Sequence, residues 1–204
     1  EQDANMTRLK TRPYQQRIIW GGHKLFAGGH RRVLVQLATG AGKTHIATSL
    51  IEKAGSRRVI FVVPSTEILN QTADKLTKLK IKHVVLSAGK KFSLRGVSTI
   101  VAMSHTLARR VKSTEMFDVW APDLIFVDEA HKLIEQHRAL LRKWPRCPAI
   151  ALSATPIRLD GKPLGSLWPD LICGPSIKRL IADRFLVPPI THPAPMPDLS
   201  GVRI

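Results

Sequence analysis

At 204 residues and 44% hydrophobic content the chain is long enough to bury one core, and 13 glycines with 14 prolines exclude a low-complexity or collagen-like sequence. Two cysteines, Cys147 and Cys173, are too few and too distant for a disulfide scaffold or a zinc cluster, and no eighteen-residue apolar run or secretory signal pattern occurs; reduced thiols, a cytoplasmic location and no membrane association are expected. The 32 Lys and Arg against 15 Asp and Glu leave a formal charge of +17, a field that attracts a polyanion, with nucleic acid the first candidate and an acidic protein partner or a merely soluble surface the bland ones.

In chain order, a helical pattern over 13–20 precedes an apolar run at 33–37 that reads as a strand. A glycine-containing turn, Ala38-Thr39-Gly40-Ala41-Gly42-Lys43-Thr44, then opens a helix over 43–53. Strands follow at Val59–Val63, His83–Leu86, 99–102, Leu124–Val127 and Ala149–Ser153, separated by helices over 66–80, 104–111 and 135–143. Several of these runs are apolar throughout, as strands covered on both faces are. The alternation predicts an α/β fold, a mainly parallel β-sheet sandwiched by helices, with ligands beyond the carboxyl ends of the strands. After Thr155 the sequence turns Pro- and Gly-rich and reads as a loop, one helix over 176–185 and an extended exit. The expected organisation is an N-terminal extension over 1–11, one domain over 12–186 and a linker over 187–204.

Two strings carry chemistry. Gly40 and Gly42 let the backbone turn tightly, so that the amides of Thr39 to Thr44 and the start of the following helix can face phosphate. Lys43 is placed to reach the β- and γ-phosphates of a nucleotide, and Thr44 offers a hydroxyl to magnesium. Leu37 stands where the general form of such a loop has its first glycine, so the match is to the second half. Asp128-Glu129-Ala130-His131 follows the Leu124–Val127 run, which pushes two carboxylates out of a sheet edge. Asp128 suits magnesium and Glu129 the attacking water; a solvated strand end or helix cap is the plainer alternative.

With Ser153-Ala154-Thr155-Pro156 after a further strand, the order of motifs resembles the first RecA-like domain of superfamily 2 helicases, over nearly the whole chain. The four letters Asp-Glu-Ala-His name the subgroup, and the stretch from Ser153 to Gly161 is closest to the restriction-subunit, repair and phage-type branch. The resemblance implies that Gln15, in Arg12-Pro13-Tyr14-Gln15-Gln16, bonds the adenine edge with Tyr14 beside it. It implies that Pro64, Ser65 and Thr66 grip a nucleic-acid backbone together with Gly89, Lys90 and Ser104. Ser153, Ala154 and Thr155, with His131 against them, would couple nucleotide state to that grip. Without the resemblance, Ser65-Thr66-Glu67 is a plain helix cap and Tyr14 plain packing. An ATP- and Mg2+-dependent helicase motor follows, binding nucleic acid largely without sequence preference, DNA before RNA. Such proteins carry a second RecA-like domain that supplies arginine fingers, so this domain alone is expected to be weakly active. A translocase without strand separation, an RNA helicase and a non-catalytic binding module are the alternatives.

Overall fold

A computed structural model describes residues 11–54, 57–89, 92–157 and 160–190. Among them, seven strands form one sheet in the order β3-β4-β2-β5-β6-β1-β7: β1 (Arg32–Gln36), β2 (Val59–Val63), β3 (His83–Leu86), β4 (Thr99–Met103), β5 (Leu124–Val127), β6 (Ala149–Ser153) and β7 (Asp170–Cys173). Every ladder in it is parallel, so all strand ends of one polarity share one edge.

Alternation along the strands divides the core in two. In β2, Val59, Phe61 and Val63 point to the face covered by α1 (Pro13–Ala27), α2 (Lys43–Ala54), α3 (Thr66–Lys78) and α7 (Ile177–Ala182). Ile60 and Val62 point to the face covered by α4 (Ser104–Ser113), α5 (Met116–Val119) and α6 (Ile134–Lys143). All five residues of β2 are buried, which is why its sequence shows no polar alternation. Phe61 and Phe126 are register partners on β2 and β5 and meet edge-on, centroids 6.0 Å apart; each such ring, fully buried, contributes about 1.5–3 kcal/mol. No helix among the described residues is long and apolar enough to cross a membrane.

Several boundaries differ from those expected. α1 continues past residue 20, through Gly21-Gly22, to Ala27, because its second half still packs on the sheet. α3 stops at Lys78: Lys80 adopts a left-handed conformation (φ 55°), and the Ile81 amide returns to the Leu76 carbonyl at 2.9 Å, closing the helix. The last helix is only Ile177–Ala182, ended by Arg184 at φ 59°. The short helix α5 was not expected, nor was a 3-10 turn at Leu164–Ser166.

The larger correction is β7, which occupies the stretch read as loop. It has four residues, pairs only with β1, and alternates between half-buried and exposed, so it lacks the apolar run that marks the inner strands. Residues 187–190 carry no helix or strand, and the remainder of the expected linker and nearly all of the expected N-terminal extension lie outside the described residues.

β7 ends against β1 through Gly174, whose amide donates to the Gln36 carbonyl at 2.8 Å. A Cβ at Gly174 would stand 2.5 Å from Leu37 Cδ1 and 3.0 Å from the Gln36 oxygen, so a side chain there forces the β1–β7 seam apart. Gly174→Ala is therefore expected to cost about 1–3 kcal/mol, as overpacking does. In thermal melts that is a Tm lower by about 2–4 °C per kcal/mol, and an unchanged Tm would mean that the seam is looser than described.

Candidate nucleotide site at the carboxyl edge of the sheet

The loop after β1 begins where the Leu37 amide donates to the Ser153 carbonyl at 2.9 Å, which ties the ends of β1 and β6 together. Gly40 and Gly42 then take left-handed conformations (φ 79° and 88°) that other residues reach only with strain. A Cβ on Gly42 would in addition lie 2.5 Å from Gln15 Nε2. Ala41, between them, is fully buried, and its carbonyl accepts from the Tyr14 hydroxyl at 2.7 Å and from Gln15 Nε2 at 3.3 Å. Gln15 Oε1 accepts from the Arg12 amide at 2.9 Å, so both ends of this buried side chain are engaged. Tyr14 and Gln15 thus brace the loop from the start of α1. Thr39 and Gly40 remain exposed, and Thr44 is half-buried in the first turn of α2.

Lys43, the first residue of α2, is buried. Its Nζ lies 3.5 Å from the Leu37 carbonyl and 3.4 Å from Glu129 Oε1. Glu129 comes from the end of β5, beyond the intervening β6, and its left-handed backbone (φ 48°) turns the chain sharply there. Its second oxygen, Oε2, lies 3.4 Å from His131 Nδ1, which is 2.9 Å from Ser153 Oγ. Ser153 Oγ donates to the Thr155 carbonyl at 2.6 Å and accepts from the Thr155 amide at 3.2 Å. Since the serine proton is committed to Thr155, the proton between His131 and Ser153 belongs to His131 Nδ1. One polar chain therefore runs from Lys43 through Glu129, His131 and Ser153 to Thr155; Ala154 is half-buried between the last two, and Thr155 is exposed.

Asp128 is buried at the end of β5, its amide bonded to the Val62 carbonyl at 2.8 Å and its Oδ1 accepting from the Glu129 amide at 2.9 Å. Burial, with the Glu129 carboxylate beside it, pushes its pKa up to about 6. No group of three or more His, Cys, Asp or Glu able to hold a metal occurs among the described residues. The donors present are the Asp128–Glu129 acidic pair and the Thr44 hydroxyl. They suit magnesium, which binds through one or two side chains and completes its shell with water and substrate phosphate.

The residues expected along a nucleic acid are spread over the same edge. Ser65 is the N-cap of α3, its hydroxyl accepting from the Ile68 amide at 3.4 Å, which is the plain cap reading; Pro64 is half-buried beside it. Thr66 is exposed, with its hydroxyl 3.5 Å from Met103 Sδ. Gly89 is exposed after β3 with φ 72°, and Lys90 lies outside the described residues. Ser104 departs from expectation: it is fully buried, and its hydroxyl points inward to the Val63 carbonyl at 3.3 Å and His137 Nε2 at 3.2 Å. A strand lying on this edge cannot reach that hydroxyl.

Sequence reasoning missed Phe185 and Leu186. The Phe185 ring packs on Tyr14 with centroids 5.3 Å apart, and the Arg12 guanidinium lies 4.9 Å from its centre. Leu186 Cδ2 sits 3.2 Å from where a Cβ on Gly40 would be. The stretch that leaves the domain after α7 therefore rests on the phosphate loop, and nothing local in its sequence signals a contact so distant in the chain.

Residues 8–158 match the family model described as type III restriction enzyme, res subunit. A Saccharomyces cerevisiae protein named as an ATP-dependent helicase is 29% identical over 193 residues, 86% of this chain and 28% of its own length. An African swine fever virus protein named as an ATP-dependent RNA helicase is 32% identical over 157 residues, 72% of this chain and 30% of its own length. The chain thus spans less than a third of either relative. Among solved structures, the SWI2/SNF2 ATPase core of Sulfolobus solfataricus in complex with dsDNA superposes with a TM-score of 0.59 at 19% identity, covering 74% of this chain and 33% of that one.

The raised Asp128 carboxyl has a measurable consequence. Its folded pKa of about 6 exceeds the ordinary 3.8, so the folded state holds the proton more tightly, and the cost of ionisation grows as pH rises from about 4 to 6 and persists above it. Asp128→Asn is expected to be more stable than the parent at pH 8, by up to about 3 kcal/mol for a shift of two units, and less so at pH 5. Thermal melts at the two pH values test this; a difference independent of pH would sink it.

Proposed function

Because this chain belongs to the type III restriction enzyme res-subunit family and is a RecA-like domain of superfamily 2 type, we propose that it is the ATP-binding half of a nucleic-acid-dependent motor. The observation that carries the reading is the polar chain from Lys43 to Thr155. It joins the loop suited to phosphate to the segment after β6, through the acid suited to activating water.

Without nucleotide, Lys43 and Glu129 neutralise one another. An arriving triphosphate competes for Lys43, while the loop amides and the first turn of α2 take up the remaining charge. Glu129, relieved of Lys43, is left with a free carboxylate oxygen to accept the proton of the attacking water. Thr44 and Asp128 would hold Mg2+, which when bound spreads the charge developing between the phosphates. His131 stays protonated at Nδ1 and reports the position of Glu129 to Ser153, and the Ser153–Thr155 turn carries the change onward. Tyr14 and Gln15 keep the loop in register and border the place where an adenine would lie.

Nucleic acid is assigned to the same edge, over Pro64, Ser65, Thr66 and Gly89, with backbone amides and the +17 charge supplying the grip. Contacts of this kind read phosphate rather than base, so binding is largely independent of sequence. DNA is favoured by the Ser153-to-Gly161 stretch and by the dsDNA-bound neighbour, and RNA is the second reading because of the viral relative's name. A second RecA-like domain is assigned to the full protein, completing the site with an arginine. Its location is proposed as the cytoplasm, and translocation without strand separation is the alternative output.

Two measurements decide the reading. In the full protein, Glu129→Gln, which frees Lys43 for phosphate, is expected to bind nucleotide at least as tightly as the parent and to lose about 10²–10⁴ in ATP turnover, the usual range for a general base. Undiminished turnover removes Glu129 from the chemistry. ATPase stimulation and binding are then compared for single-stranded DNA, duplex DNA and RNA. A phosphate track of 6–10 contacts loses about 10³–10⁵ in affinity between 50 and 200 mM salt, and a flat salt response would remove the track.

A further inference from the structure

His137 lies in the second turn of α6 and is 1% exposed. Its Nε2 is 3.2 Å from Ser104 Oγ, the first residue of α4, and that hydroxyl donates to the carbonyl of Val63, the last residue of β2. Its Nδ1 has no well-formed hydrogen bond and lies against the Ala130 backbone, one residue beyond Glu129. The ring thus reaches the carboxyl ends of β4 and β2 through the Ser104 hydroxyl and lies beside Ala130, which follows the end of the adjacent strand β5. Two of them lead to the residues assigned to nucleic acid, β2 through Pro64-Ser65 and β4 through Met103, whose Sδ is 3.5 Å from the Thr66 hydroxyl. The third leads to the nucleotide acids.

Burial brings the ring's pKa down to about 4, so at neutral pH it carries a single N–H. Two acceptors compete for that hydrogen. With it on Nε2, the ring donates to Ser104 Oγ, Ser104 donates to Val63, and Nδ1 is left bare beside Ala130. With it on Nδ1, the ring donates to the Ala130 carbonyl, and the Ser104 hydroxyl must turn to Nε2 and release Val63. Either arrangement leaves one buried polar atom unpaired, at a cost, so neither satisfies the whole set. A shift of either strand end therefore favours one arrangement over the other. A leucine in this place, continuing the apolar stripe of Leu140 and Leu141, would pack without such a cost.

We propose that His137 is a positioning residue which trades its one N–H between the Ser104–Val63 pair and Ala130, so that occupation of the nucleotide side and of the nucleic-acid side bias each other. The inference rests on the motor reading above. By linkage, a bias of this kind appears as a reciprocal change in binding, commonly about 5–150-fold.

The test uses the full protein and measures the affinity for a single-stranded oligonucleotide with and without a non-hydrolysable ATP analogue. In His137→Leu the ratio of the two affinities is expected to fall to within twofold of unity, while the separate affinities for analogue and oligonucleotide change less than about threefold and the KM for ATP holds. Ser104→Ala should lower the ratio to the same extent, and the double variant should go no further. A parental ratio in His137→Leu, additive effects, or parallel loss of both separate affinities with a lowered Tm overturns the proposal, the last because the ring would then only pack α6. Should His137→Leu not fold, the parent protein decides: its side-chain nitrogen resonances must show the proton on Nε2 when free and on Nδ1 with the analogue bound, and an unchanged tautomer overturns the proposal. If the parent protein shows no nucleic-acid-stimulated ATPase, the motor reading itself fails; if it does and the variants match it, only the role of His137 fails.

Discussion

The contact between Lys43 and Glu129 joins segments that follow different strands of the sheet. The two residues are far apart in sequence and come from strands that are not neighbours, since β6 lies between β1 and β5. A buried ammonium needs a partner, because an unpaired charge in a largely dry site is several kcal/mol less stable than a paired one. That requirement fixes how far the loop after β1 may sit from the end of β5. It also makes the loop's resting geometry a state that a triphosphate must compete against, rather than an open cradle.

Parallel pairing supplies the setting. Because every ladder has the same sense, the phosphate loop, the two acids, the Ser153–Thr155 turn and the cap of α3 all emerge on one edge. Adjacent ends are pinned by main-chain bonds that cross between strands: Leu37 to Ser153, Asp128 to Val62 and Ala130 to Leu152. A displacement at one end therefore reaches its neighbours through bonds that are already formed. Side chains extend this coupling in both directions, with His131 toward β6 and β1 and His137 toward β2 and β4.

The two histidines illustrate how burial separates similar groups. His131 meets an acid and a hydroxyl whose own proton is committed, which assigns its hydrogen to Nδ1. His137 meets a hydroxyl that can turn and a carbonyl, which leaves its hydrogen free to choose. Phe185 and Leu186 add a third link. Phe185 packs on the Tyr14 ring and Leu186 approaches Gly40, so the stretch after α7 rests on the loop after β1.

Much of this was legible in the sequence, for reasons that differ by element. The inner strands announce themselves because both their faces are buried, as in β2 and β5, and the motifs announce themselves because the glycine turn with Lys43-Thr44 and the Asp128-Glu129 pair each follow an apolar strand in one chain. Strand β7 was not legible: it is short, half-exposed and flanked by Pro169 and Pro175, and only β1 beside it makes it a strand. Ser104 was misjudged for a related reason. A serine at a helix start is as suited to a phosphate as to a buried carbonyl, and the choice was made by His137, a residue 33 positions away that no local pattern marks. By itself the sequence determined the fold class and the identity of the groups at the nucleotide edge, which follow from periodicity and side-chain chemistry, and the family, which follows from the resemblance of its motifs. Only the tertiary structure decided which groups face each other, that Gln15 braces Ala41, that Glu129 spans Lys43 and His131, and that Ser104 turns inward, because each of these depends on strand order and on burial, which no single stretch of chain contains.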